Sequence, residues 1–385
     1  LLKSLYGLKQ APYEWFRTID RFLVIEQGFT QIKSTPCLYL KRDSSNKFCL
    51  VGIYVDDLPI IGHPVYDLKS ALNKRFDMSD LGTLKQCIGI GVHRDSIAGQ
   101  VFLEQEKYIE EILLLFQMHK CKPQPTPINS GTKLTKDICP KTEAEHEEVR
   151  QLQKAMNYKA AVGHLIWLLH TSPDIAYAVG EVARFVDNPG PAHFVALKRI
   201  FRDLRGTTRY GLLFKREGEC ATFSLHDSDW AGCVDTRRST SGFSFFVNNC
   251  FICYRSKRQL STALSSCEAE VLASSLAATE ALWLRDVLTE LGFYSGGPVS
   301  LHQDNQGAIA FALSEVPHSK MKHIALRQSF LRELVSNNVL LPLYVSSADN
   351  NADFFTKGLN PSRFIDLRER IGCIIRPAAF EGGVE

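Results

Sequence analysis

The chain has 385 residues, 45% hydrophobic and 23% charged, with a formal net charge of +3. That length allows two or three domains, each with its own core, and the balance excludes a low-complexity or disordered chain. A net charge this small does not by itself indicate a polyanion partner, so any basic surface must be local. Eleven cysteines are scattered and no secretory signal opens the chain, which suits reduced thiols in an intracellular compartment. No apolar run reaches the ~20 residues needed to span a bilayer. Leu1 opens in mid-motif without a methionine, so the chain is expected to be a piece of a longer polypeptide.

In chain order, Lys3-Ser4-Leu5-Tyr6-Gly7-Leu8-Lys9-Gln10-Ala11-Pro12 leads into residues 14–27, where Trp15, Phe16, Ile19, Phe22, Leu23 and Ile25 suit a helix. A glycine between basic residues before a helix can let backbone approach a nucleotide or template; it is equally an ordinary loop. Apolar residues then run from Cys49 to Val55, Asp56 and Asp57 interrupt them, and Leu58 to Ile61 resumes the run. The pattern predicts a β-hairpin with the acidic pair at its tip. Two neighbouring carboxylates suit a site for Mg²⁺ in phosphoryl transfer, and they also suit a plain Asp-rich turn.

The Pro, Thr, Lys and Glu content of residues 123–146 reads as an exposed linker. Helical periodicity returns over residues 160–169, 173–185 and 193–204. In the last of these, Lys198, Arg199 and Arg202, with Arg205 just beyond, can contact phosphates or simply be solvated. Beyond Gly218 the pattern turns to strands: residues 221–225 running to Asp227-Ser228-Asp229-Trp230, then 243–247 and 250–254 about Asn248-Asn249. An amphipathic helix over about 268–291 carries Leu272, Leu276, Trp283, Val287 and Leu291 near one face. A strand at 299–302, helices at 306–313 and 323–336, a strand at 340–345 and a helical turn at 350–357 complete a mixed α/β (α+β) domain.

Four acids fall at the ends of these elements. Asp227 closes the first strand, Glu270 opens the long helix, Asp304 ends a later strand and Asp353 begins the last helical turn. Singly, each is an ordinary cap or surface acid. Asp229 shares the strand parity of Asp227, while Glu268 and Glu270 lie about 200° apart on a helix, so only one glutamate can face a common site. Cys250-x-x-Cys253 falls on a hairpin without a second pair, and no metal is expected there. His318 and His323 flank Lys320 and Lys322, as in a solvated or nucleic-acid-facing loop.

Together these strings resemble the copia-type LTR retrotransposon Pol polyproteins, from Leu1 to about Phe364. The matching motifs are the Lys3 to Pro12 segment, Tyr54-Val55-Asp56-Asp57, Asp80-Leu81-Gly82, Ile88-Gly89-Ile90, Pro125-Thr126-Pro127, His226-Asp227-Ser228-Asp229-Trp230-Ala231-Gly232, Ser266-Cys267-Glu268-Ala269-Glu270, Gln303-Asp304-Asn305 and Asn351-Ala352-Asp353-Phe354-Phe355-Thr356-Lys357. The resemblance implies an incomplete reverse transcriptase palm and start of thumb over residues 1–122 and a linker over 123–159. It further implies a helical thumb or connection over 160–217, a ribonuclease H-like domain over 218–360 and a tail over 361–385. It also implies that Asp227, Glu270, Asp304 and Asp353 bind Mg²⁺ or Mn²⁺ and cut RNA in RNA–DNA hybrids. Asp56 and Asp57 would bind metal in a polymerase site that takes template–primer. The family pattern favours Asp227 over Asp229 and Glu270 over Glu268. It also requires a third polymerase Asp upstream of Lys3, and only Asp20 and Asp43 precede Asp56 here, so DNA synthesis is not expected.

The family's setting is a cytoplasmic virus-like particle or the nucleus. Tyr13, Pro59, Ser172, Val271 and Ala325 depart from the usual pattern and read as drift. Pro59 should weaken its strand ladder. Two other readings stay open, a non-catalytic nucleic-acid-binding module and a relic with no stable product.

Overall fold

The structure is a computed structural model that describes residues 7–216, 221–294, 296–314 and 324–380. His318, Lys320, Lys322 and His323, the first six residues and the last five lie outside the described residues. Two compact units emerge, one of Leu1–Cys87 with Leu282–Tyr294, the other of Ile88–Ala281 with Ser295–Glu385.

In the first unit, helix α1 (Ala11–Arg21) starts with Pro12 in its first turn, where a missing N–H costs nothing. It buries Ile19, and the π-helical turn Phe22–Glu26 that follows buries Phe22 and Leu23, while Ile25 faces solvent. Strands β1 (Thr30–Gln31), β2 (Leu38–Arg42), β3 (Phe48–Gly52) and β4 (Ile60–Gly62) form an antiparallel sheet in that order. Alternation along the strands splits the core. Tyr39 and Val51 pack with Ile19, Leu23 and with Leu68 and Leu72 of α2 (Val65–Arg75), while Leu40 joins Ile32, Val287 and Leu291. A two-residue strand, β5 (Gln86–Cys87), ends the unit's first segment.

The second unit contains a helical cluster and two sheets. Helices α3 (Glu106–Leu115), α4 (Glu143–Ala155), α5 (Tyr158–Leu168), α6 (Ala176–Ala183) and α7 (Pro191–Gly206) enclose a core that includes Leu165, Val179, Leu197, Ile200 and Phe201. Residues 123–159 are not an exposed linker. Ile128, Leu134, Val149 and Met156 are buried in this core, and α4 begins at a capping box between Thr142 and Glu145. The basic residues of α7 explain the anchoring: Arg199 bonds Gln124 and Thr126, Arg202 the Lys122 carbonyl and Arg205 the His119 carbonyl. These arginines hold chain.

Strands β6 (Ile90–Asp95), β7 (Gln100–Glu104) and β8 (Tyr210–Lys215) form an antiparallel run. In the expected tail, residues 361–380 are folded into this unit. Helix α11 (Pro361–Arg370) buries Phe364 and Leu367, and β14 (Cys373–Ile375) pairs with β8, Cys373 opposite Leu212. Arg368, 5% exposed, sits over the Tyr210 ring at 4.5 Å and faces Asp174 at 3.9 Å.

The remaining sheet runs β11 (Cys250–Arg258), β10 (Thr240–Val247), β9 (Thr222–Asp229), β12 (Val299–Gln303), β13 (Leu340–Tyr344). The first three are antiparallel, and β12 is parallel to both its neighbours. Asn248 and Asn249 take positive φ at the β10–β11 turn, as a type I′ hairpin requires. Helices α8 (Ser266–Glu290), α9 (Gln306–Leu313) and α10 (Ala325–Ser336) accompany this mixed five-stranded sheet. Of the row expected on α8, Val287 and Leu291, at and just past its C-terminal end, are buried and Trp283 is exposed, while Ala269, Ala273, Ala277 and Ala281 are buried along the preceding turns. Small residues there let the helix backbone lie close to its neighbours.

A second close approach positions the site. A Cβ on Gly242 of β10 would meet Phe355 Cβ and Thr356 Cγ2 at 2.8 Å each. Gly242→Ala should therefore lower stability by about 1–3 kcal/mol through overpacking. Thermal melts check this, and an unchanged midpoint would contradict it.

Candidate metal centre

β9 is central in its sheet and delivers Asp227, 4% exposed, to its carboxyl end. Glu270 comes from the first turns of α8, and Asp304 from the residue after β12. Ligand oxygens of these three lie within 4.8 Å of one another. Each acid is aimed by a neutral donor. Thr356 Oγ1 donates to Asp227 Oδ2 at 2.6 Å, the Ser228 amide to Glu270 Oε1 at 3.1 Å, and Ser347 Oγ to Asp304 Oδ2 at 2.6 Å.

Asp353, on the 3₁₀ segment Asn351–Phe355, neighbours Asp227 electrostatically, yet its Oδ1 lies 2.6 Å from Lys357 Nζ and its Oδ2 3.8 Å from Arg363. Asp229 is half-buried against Gly232, and Glu268 accepts from the Leu264 amide at 2.7 Å as a helix-start cap. Neither belongs to the cluster.

Burial pushes the Glu270 carboxyl up to about 9, with the charges of Asp227 and Asp304 adding to it. Burial and then Asp353 raise Asp227 to about 6. Glu270 Oε2 is buried with no hydrogen-bond partner. Three carboxylates, one with an orphaned buried oxygen, fit a hard divalent cation by the chemistry of their donors.

Several supporting residues had no signal as single letters. Gln259 Nε2 donates to Ser228, Ser241 and the Ala269 carbonyl, linking β9, β10 and α8. Asn350 Nδ2 donates to the His226 carbonyl at 2.9 Å and fixes the 3₁₀ segment to β9. His226 bonds Ser274 at 2.8 Å, and burial holds its imidazole down to about 3.

In the first unit Asp56 and Asp57 are exposed at a tight turn, where Tyr54 and Asp57 exchange backbone hydrogen bonds. Val55 has φ +52°, a strained value for a β-branched residue, and its carbonyl accepts from Trp15 Nε1. Among the described residues no third acid joins the pair. Asp20 accepts from the Tyr39 hydroxyl at 2.8 Å, and Asp43 holds its own turn through the Ser45 and Lys47 amides. Pro59, just before β4, accepts from Gly52 N–H at 2.9 Å but has no N–H to return the second bond of that antiparallel pair, so the ladder is one bond weaker there. Cys250 bonds the Lys215 backbone, while burial pushes the Cys253 thiol up to about 12, opposing a thiolate ligand.

Residues 1–130 match the family model for reverse transcriptase (RNA-dependent DNA polymerase). The chain is 38% identical over 97% of its length to the retrovirus-related Pol polyprotein from transposon TNT 1-94 of Nicotiana tabacum. It is 33% identical over 99% of its length to that from transposon RE2 of Arabidopsis thaliana. The chain belongs to the copia-type retrotransposon Pol polyproteins. It spans 28% and 26% of the length of these two relatives. A solved ribonuclease H1 from Halobacterium salinarum is similar over 38% of this chain and 98% of its own, at 12% identity and TM-score 0.28. Of the positions where this copia-type chain departs from the common pattern, Val271 and Ser172 are buried. Ala325 begins α10.

The raised Glu270 carboxyl has a consequence for stability. The folded state keeps its proton above the ordinary 4.5, so this contribution is complete below that value and is lost as pH rises through about 9. Without divalent cations the melting temperature should fall between about pH 5 and pH 9. Glu270→Gln should flatten that fall and exceed wild type near pH 8. A variant with the wild-type slope would show that Glu270 does not carry the effect.

Proposed function

We propose that this chain cuts the RNA strand of RNA–DNA hybrids at Asp227, Glu270 and Asp304, with Asp353 at the rim, using Mg²⁺ or Mn²⁺. The observation that carries the reading is the gathering of three acids from three separate elements around an unpartnered buried Glu270 oxygen. Two-metal catalysis of phosphodiester cleavage relies on such oxygen donors, and a bound ion supplies charge neutralisation and a nucleophilic water near neutral pH. The chain's own part is orientation. Thr356, the Ser228 amide and Ser347 fix the three carboxylates, and burial keeps water from screening Asp227 and Glu270.

The substrate preference follows from hybrid geometry, because a wide minor groove with 2′-hydroxyls distinguishes RNA–DNA hybrid from duplex DNA. Cleavage should require Mg²⁺ or Mn²⁺ and stop with chelator. Asp304→Asn should reduce the rate by two or more orders of magnitude, each tenfold being about 1.4 kcal/mol of barrier, with the melting curve intact. Asp229→Asn and Glu268→Gln should do far less. A folded chain that binds hybrid in a salt-dependent way yet never cuts it would instead be a non-catalytic binding module.

Asp56 and Asp57 take the place of polymerase acids in this reading, with template–primer as ligand. A polypeptide of these 385 residues should not extend a primer on RNA, because Asp20 and Asp43 are committed to Tyr39 and a turn. Extension that disappears in Asp57→Asn would refute this.

A further inference from the structure

We propose that the Lys357 ammonium is the resident cation of the Asp353 position. The acids then take one divalent ion in the absence of nucleic acid, and a second only when a backbone phosphodiester draws Lys357 away. This rests on the reading of these acids as a divalent-cation site.

The partners of the four acids divide sharply. Asp227, Glu270 and Asp304 are oriented by a hydroxyl, an amide and a hydroxyl, all neutral. Asp353 faces charge on both oxygens, with Lys357 Nζ at 2.6 Å and Arg363 at 3.8 Å. A divalent ion can therefore enter among the first three by displacing at most a proton, but at Asp353 it must compete with an ammonium already in contact.

The two cations differ in freedom. Arg363 also donates to the carbonyls of Ser347, Ala348 and Asn350, so its guanidinium is fixed in the loop. Lys357 makes no other side-chain hydrogen bond among the described residues, and its side chain is 43% exposed at the rim. A compact charge on a flexible stem can move to an arriving phosphate, where a fixed guanidinium cannot. Asp227 and Asp229 also act on this same ammonium, so its departure leaves the acids with one fewer positive charge. Substrate phosphate and second-ion binding are thereby coupled through one side chain.

The test counts Mn²⁺ bound by the full chain, by calorimetry and by loss of the free-ion spin signal, with melting curves as the fold control. Wild type without nucleic acid should bind one ion. Lys357→Met should bind a second at least tenfold more tightly than wild type does, and Lys357→Arg should return to one. Wild type with a hybrid whose RNA is 2′-O-methylated, and so resists cleavage, should gain the second ion. Two equally tight ions in free wild type, one ion in all three proteins, or no gain with hybrid would each overturn the role of Lys357 while leaving the metal site standing. No ion in any folded form would overturn the metal-site reading and this inference with it.

Discussion

Carboxylates held within 4.8 Å of one another repel, and burial makes the repulsion stronger. The architecture around β9 follows from holding them there. Their backbones cannot drift apart, because β9 is paired on both sides and Gln259 ties it to β10 and α8. Burial first and the neighbouring carboxylates second push Glu270 and Asp227 up, so proton uptake relieves both when no cation is present. The alanine face of α8 and the bare Cα of Gly242 serve the same end from outside, letting a helix and a 3₁₀ segment come close enough to reach the strand. A cluster that opposes its own formation needs such close neighbours.

Much of this was legible in the chain, and the reasons are specific. Asp227 and Asp304 interrupt or end apolar strands, so each stands out against its surroundings. Glu270 and Glu268 separate by helical angle, and the structure sends one to the cluster and the other to the Leu264 amide. Asp227 and Asp229 share parity, so periodicity alone could not divide them. The alanine part of the α8 face was missed because alanine contributes little to a hydrophobic pattern, although its size is what matters in a tight contact.

Segments with few apolar residues were the least legible. In residues 123–159 the buried Ile128, Leu134, Val149 and Met156 are spread among polar neighbours, so composition outweighed position. The Thr142-to-Glu145 capping box was present in the letters and is the signal that would have found α4. Arg199, Arg202 and Arg205 offered only a phosphate-contact or a solvated reading because their partners, carbonyls and side chains between His119 and Thr126, lie too far along the chain for any local pattern to connect. The short strand β14 was hidden for the same reason.

That C-terminal pairing bears on how the centre comes into being. Thr356, the residue that aims Asp227, is 129 positions downstream of it, and the stretch just beyond is anchored by α11 and by β14 against β8. Contacts of such long sequence separation form late, since the loop they close must first be ordered. During synthesis from the N-terminus, β9 and α8 exist before the segment that completes their surroundings. The acids thus remain incompletely framed until residues 350–375 have docked.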